Sequence, residues 1–123
     1  MYFEAFSISL NSKNISASKE FYEAIGFSVF HGEIDQKWLI MKNKTATIGL
    51  FQGMFEKNIL IFNPGWDSEA NIVTEFLDLR RIQKKFQDKE INITRTVKKD
   101  TSGPGNMTLL DPDGNPILID QHA

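Results

Sequence analysis

From Glu4 to Leu10 apolar and polar residues alternate, with Phe6, Ile8 and Leu10 on one side and Ser7 and Ser9 on the other. That is the period of a half-buried strand. A helix is expected next, with Ser16 as its cap, Phe21, Ala24 and Ile25 as the apolar stripe of Lys19 to Ile25, and Gly26 as its end. Glu20 lies one position beyond the spacing of a capping box. Three short strands are then expected at Phe27 to Phe30, Lys37 to Met41 and Thr45 to Phe51, the last two joined by a tight turn at Asn43-Lys44.

The second half repeats the pattern. Asn71 to Phe76 reads as a strand, and Leu79, Ile82 and Phe86, interleaved with Arg80, Lys84 and Lys85, read as an amphipathic helix. Ile91 to Val97 is a further strand, followed by a hairpin: Asn106 to Leu110, the turn Asp111-Pro112-Asp113-Gly114-Asn115-Pro116, and a strand from Ile117. Pro112 fixes its own φ, while Gly114 and Asn115 tolerate the positive φ that chain reversal demands. Glu20 to Phe27 holds the same place in its half as Lys85 to Ile91 does in the other, and Ile48-Gly49-Leu50-Phe51-Gln52 matches Ile117-Leu118-Ile119-Asp120-Gln121. Between the halves, Gln52 to Asp67 is too apolar for a bare linker. Within it Ile59 to Phe62 has the makings of a short edge strand, and Pro64-Gly65 aims Trp66 either over core or at a pocket mouth.

Composition narrows the function classes. A chain of 123 residues with 41% hydrophobic and 24% charged residues and a net charge of −2 fits one globular domain, without the basic excess of a nucleic-acid binder. Cysteine is absent, which excludes disulfides, thiolate metal sites and a cysteine nucleophile. No apolar run approaches the ~20 residues of a membrane span, and the amino terminus lacks the pattern of a signal peptide, so a cytoplasmic protein is expected.

The strand-Asp-Pro-Asp-Gly-Asn-Pro-strand arrangement, in a chain of this size with an internal repeat, resembles the vicinal-oxygen-chelate superfamily, which includes glyoxalase I, bleomycin-resistance proteins and extradiol dioxygenases. The resemblance implies an α+β fold of two βαβββ modules in tandem, each a curled mixed sheet with a helix on its outer face, enclosing a trough. The expected bounds are about 1–52 for module one, 53–69 for a connector and 70–123 for module two. By strand parity Ser7, Ser9, Thr47, Gly49 and Phe51 face the trough from the first module, and Asn71, Val73, Glu75, Leu118 and Asp120 from the second.

Metal enzymes of the superfamily place His, Glu or Gln at four inward positions, which fall here on Ser7, Gly49, Asn71 and Leu118. None is a good ligand for a divalent transition ion, which wants imidazole or carboxylate. His31, at a strand end, and His122, the penultimate residue, read as surface histidines. Asp111 and Asp113 read as turn-bonding carboxylates, and Arg80, Arg81, Lys84 and Lys85 as a solvated helix face. No phosphate loop or nucleophile elbow is present.

The leading expectation is a protein that binds a small organic molecule without metal or other cofactor, lined by Trp38, Phe51, Trp66, Met107 and Leu118 with orienting contacts from Ser7, Ser9, Asn71 and Glu75. Two readings stand beside it. One is a lyase-like or dioxygenase-like enzyme using Glu75 or Asp120 as acid or base. The other is a non-catalytic interaction domain whose trough is filled by its own side chains. A homodimer is expected from the exposed sheet edges and from the habit of the superfamily.

Overall fold

A computed structural model describes residues 1–123. Its ten principal elements are β1 (Ala5–Asn11), α1 (Ile15–Ala24), β2 (Ser28–Glu33), β3 (Trp38–Asn43), β4 (Ala46–Phe51), β5 (Ile59–Asn63), α2 (Leu79–Asp88), β6 (Ile93–Arg95), β7 (Gly105–Leu110) and β8 (Pro116–Gln121). The order is βαβββ twice, eight strands and two helices, an α+β arrangement. The chain forms two compact units, Ser7–Ile59 and Met1–Phe6 with Leu60–Ala123.

In the first unit β1 runs parallel to β4 with Ile8 opposite Ile48, Ser9 opposite Gly49 and Leu10 opposite Leu50. The hairpins β2–β3 and β3–β4 extend the sheet antiparallel. Lys44 takes a positive φ at the tight turn where Asn43-Lys44 calls for one. Ile15, Leu39, Met41, Ile48 and Leu50 form the buried core, with Ile8, Leu10 and Tyr22 packed on it. The helix therefore covers the face that the alternation of β1 and β4 makes apolar. The opposite face carries Ser7, Ser9, Thr47, Gly49, Phe51, Trp38 and Ile40. Phe6, expected under the helix with Ile8 and Leu10, is instead about half exposed and packs on Phe62, ring centroids 5.1 Å apart.

Helix α1 starts earlier than expected. Asn14, not Ser16, is its cap, in extended conformation with its side chain accepting from the Ala17 N–H, and Ser16 lies inside the first turn. Gly26 ends it at φ +113, and the Phe27 N–H reaches back to the Tyr22 carbonyl at 2.9 Å.

In the second unit β5 runs parallel to β8, Leu60 opposite Ile117 and Ile61 opposite Leu118. β7 pairs with β8 and β6 with β7, both antiparallel. The strand expected at Asn71 to Phe76 is absent. That segment holds one isolated bridge, Ile72 to Trp66, and the first strand of this module is Ile59–Asn63, which the sequence offered as an edge strand of the connector. Ile59 to Phe62 is a continuous apolar run, whereas Asn71 to Phe76 is interrupted by Thr74 and Glu75. The strand expected over Ile91 to Val97 is confined to Ile93–Arg95. Leu79, Ile82, Phe86, Met107, Leu109 and Ile119 make the core, flanked by Phe62 and Ile117.

The two modules share a device. The Ile15 N–H, first in α1, donates to Gln52 Oε1 at 2.9 Å, and the Leu79 N–H, first in α2, donates to Gln121 Oε1 at 2.7 Å. Each glutamine closes its module by satisfying a helix N–H that has no partner within the helix. The Ile91 N–H also reaches the Phe86 carbonyl at 2.9 Å, as Phe27 does Tyr22.

Candidate functional site

On the open face of the first module, the hydrogen-bonded registers set Ser9 beside Gly49, Ile40 across from Gly49, and Trp38 across from Phe51. Phe51 does not project straight out. Its ring lies over Gly49, so that a Cβ built on Gly49 would stand 2.6 Å from a Phe51 ring carbon and 3.2 Å from Ser9 Oγ. Glycine at 49 is what lets the ring lie there, and Ser9 beneath it is only 3% exposed. The Trp38 ring is nearly parallel to Phe51, with centroids 6.5 Å apart, and His31 and Phe55 extend the row at 5.4 Å from Trp38 and Phe51 respectively. The row makes a flat aromatic surface on this sheet face.

In the second module Leu118 lies on the open face between Ile61 of β5 and Thr108 of β7. Asp120, on the same face, lies opposite Asn106. Its Oδ2 is 3.0 Å from His122 Nε2, and the His122 ring stacks on Trp66, centroids 4.2 Å apart and planes 8° from parallel. Sequence reasoning treated His122 as a frayed surface residue and left Trp66 between core and pocket mouth; neither reading foresaw the stack.

Four of the residues assigned to the trough are elsewhere. Met107 is fully buried in the helix-side core, because β7 pairs Met107 with Ile119 and Gly105 with Gln121, all of which turn toward α2. Asn71, Val73 and Glu75 are loop residues, Asn71 and Glu75 exposed, since the strand that would have carried them does not form. The Asn71 backbone N–H and C=O serve a turn with Asp67. Glu75 lines an open cleft of about 440 Å³ with Tyr2, Glu4, Phe76 and Lys85.

The four positions that the resemblance assigned to metal ligands do not fit a divalent ion. Ser7 offers a neutral hydroxyl, Gly49 has no side chain and is roofed by Phe51, Leu118 is hydrocarbon, and beside Leu118 the strand residue is Ile61, not Asn71. No three His, Asp or Glu side chains are grouped closely enough to hold a metal ion.

A larger open cleft, about 710 Å³, lies between the segment Asn11–Lys13 and the loop Gln52–Glu56 of the first module. It was not anticipated; the apolar, glycine-containing run Gly53-Met54-Phe55 after β4 was the available signal.

The charged groups with displaced titration are structural. On Asp78, burial acts to raise the pKa, but hydrogen bonds from Gln121 and the Arg80 backbone, with the Arg80 charge, together hold it below the ordinary carboxylate value. Asp111 is lowered by the Asn115 side chain and by backbone N–H groups of the hairpin turn, the local bonding expected of that aspartate. No helix is long and apolar enough to cross a membrane.

No protein-family model matches the chain, and no curated protein matches it in sequence. Solved structures do match in fold. A glyoxalase/bleomycin resistance protein/dioxygenase superfamily member from Vibrio splendidus 12B01 superposes with a TM-score of 0.64 at 13% identity, covering 94% of this chain and 97% of that one. A Legionella pneumophila protein described as an NAD-dependent benzaldehyde dehydrogenase gives 0.65 at 18% identity over 96% and 99% of the two chains. An extradiol ring-cleaving dioxygenase from B.fuscum gives 0.53 at 14% identity, this chain matching over 98% of its length and covering 32% of the dioxygenase. With its paired βαβββ modules and these structural neighbours, the chain has the fold of the glyoxalase/bleomycin resistance protein/dioxygenase superfamily.

Proposed function

We propose that this protein binds a small aromatic molecule without a metal, on the sheet face of the first module turned away from its helix. The observation that carries the reading is the Phe51 ring seated over Gly49. It places an aromatic surface, continued by Trp38, at a position where a metal enzyme of this fold would hold a ligand. Ser7, on the same face of the first module, supplies a hydroxyl for orientation. A ligand stacked on Trp38 and Phe51 gains from area burial and from ring-ring geometry.

A screen of neutral aromatic compounds by thermal shift, with Trp fluorescence as the second readout, tests the proposal. Binding that Trp38→Ala weakens about tenfold, a loss of ~1.4 kcal/mol, is expected. Elemental analysis should find no stoichiometric Zn, Ni, Fe or Mn. One tightly held metal per chain, or no stabilisation by any aromatic compound, refutes the reading, and the second result favours a face filled by its own side chains.

One observation favours an acid–base enzyme as the second reading. Asp120 holds His122 Nε2 at 3.0 Å while Trp66 covers one face of the ring, an arrangement that orients the imidazole and leaves Nδ1 as proton acceptor in the neutral Nε2–H form. Glu75, exposed in a loop, has no such setting. A homodimer is also part of the proposal. Phe21, Ile25, Val29 and Phe30 are each 41–59% exposed on α1 and the adjoining β2 edge, and covering them would remove apolar surface from water. Light scattering should give twice the chain mass at micromolar concentration, and a monomer mass would count against it.

A further inference from the structure

The cleft of about 710 Å³ between Asn11–Lys13 and Gln52–Glu56 has an organisation that the aromatic sheet face does not explain. Its two walls come from different connections, β1 to α1 and β4 to β5. They are tied together at the base: the Asn11 N–H donates to Asn58 Oδ1 at 2.9 Å, and Asn11 Nδ2 donates to the Glu56 carbonyl at 3.2 Å. Gln52, a third lining residue, is fixed by its bond to the Ile15 N–H. The cleft is thus braced by bonds between segments distant in sequence, and a ligand would not have to pay for ordering a loose loop.

Each wall carries one formal charge. Lys13 stands on one and Glu56 on the other, both exposed, and neither side chain takes part in an ion pair or a hydrogen bond. Opposite charges lining one cleft without closing on each other leave a place for a molecule carrying both signs. The floor beside them is apolar: Met54 is 53% exposed and Phe55 packs on Phe51. A single-sign ligand would meet one favourable and one repulsive wall. An amphoteric ligand would set its carboxylate at the Lys13 ammonium and its ammonium at the Glu56 carboxylate, with an apolar group on Met54 and Phe55.

We propose that this cleft is a binding site for a small zwitterion with an apolar side group, of the amino-acid class. A cleft volume of a few hundred Å³ accommodates such a molecule, and because the cleft is open and the charges are exposed the affinity is modest.

The test is amide chemical-shift titration of the full chain with three probes of one skeleton: L-phenylalanine, 2-phenylethylamine as the cation alone, and 3-phenylpropionate as the anion alone. L-phenylalanine should move the amides of Lys13, Gly53 and Glu56 and bind about tenfold tighter than either single-charge analogue. Lys13→Met should remove its advantage over 2-phenylethylamine, and Glu56→Gln its advantage over 3-phenylpropionate. Both positions are exposed, so both variants should fold, as unchanged amide spectra away from the cleft would verify. Equal affinities for all three probes, no response of these amides, or full retention of L-phenylalanine affinity in the double variant overturns the proposal. It does not rest on the aromatic-face reading: neutral aromatic compounds perturbing Trp38 while L-phenylalanine leaves the cleft amides unmoved would keep that reading and discard this one.

Discussion

Gln52 and Gln121 do the same job in the two modules under different conditions, and replacing each by methionine, which keeps length and bulk, should separate the cost of the two settings. Gln121 is 2% exposed. Its Oε1 receives the N–H of fully buried Leu79 at 2.7 Å, and its Nε2 reaches Asp78 Oδ2 at 3.0 Å and the carbonyls of Gly103 and Ala123 at 3.1 Å. Gln121→Met leaves the Leu79 N–H without a partner in a dry site, costing about 1–3 kcal/mol, and removes a hydrogen bond to a partly exposed carboxylate, worth about 1 kcal/mol after allowance for solvent. Gly103 and Asp78 lose less, because Arg80 Nη1 still reaches both. The sum is about 3 kcal/mol. Gln52 is half-buried and lines an open cleft, so in Gln52→Met water can reach the Ile15 N–H, and a cost of about 1 kcal/mol is expected. Urea unfolding with a slope of roughly 1–3 kcal/mol/M should place the Gln121→Met midpoint about 1 M below that of Gln52→Met. The pH dependence carries a second signature. The Asp78 pKa is lowered in the folded chain, so the stability it contributes is present above the ordinary value of 3.8 and is lost as pH falls through the folded value. The gap between wild type and Gln121→Met should therefore be full at neutral pH and narrow below about pH 4. Equal midpoints for the two variants, or a costlier Gln52→Met, would falsify the view that burial sets the worth of this repeated bond.

Other outcomes follow from the sheet faces. Ile119→Glu puts a charge in the α2 core, where Ile119 is 1% exposed, and should unfold the second unit, whereas Leu118→Glu on the open face should cost less than about 1 kcal/mol by urea midpoint. Gly49→Ala brings a Cβ to 2.6 Å from the Phe51 ring and should force the ring off its seat, at a cost of about 1–3 kcal/mol with a changed near-ultraviolet circular dichroism of Trp38; an unchanged spectrum would mean that the stack does not depend on Gly49. His122→Ala should raise Trp66 fluorescence by removing a stacked ring at 4.2 Å, and an unaltered emission would deny the contact.

The sequence by itself determined what local chemistry can determine. The Asp111–Asn115 turn forms as its residues require, with Asp111 accepting from the Asp113 and Asn115 N–H groups and Gly114 at φ +84. Phe6 apart, the alternation of β1, β4 and β8 named their helix-side residues correctly, because a period of two leaves little freedom once one face is buried. The match of Ile48–Gln52 with Ile117–Gln121 marked two strands and, just past β4 and at the end of β8, the glutamines that cap two helices. Long-range pairing decided the rest. Ile59–Asn63 and Asn71–Phe76 were both acceptable strands by propensity, and the choice rested on which could lie parallel to β8 with Leu60 on Ile117 and Ile61 on Leu118. Met107 could have faced either way on a short strand with apolar residues of both parities, until its register with Ile119 turned it into the core. The Trp66–His122 stack joins residues 56 positions apart in sequence, and the cleft walls meet through Asn11 and Asn58, 47 apart. Such contacts leave no periodic trace in the chain, since each depends on where two separate connections end after the sheets have formed.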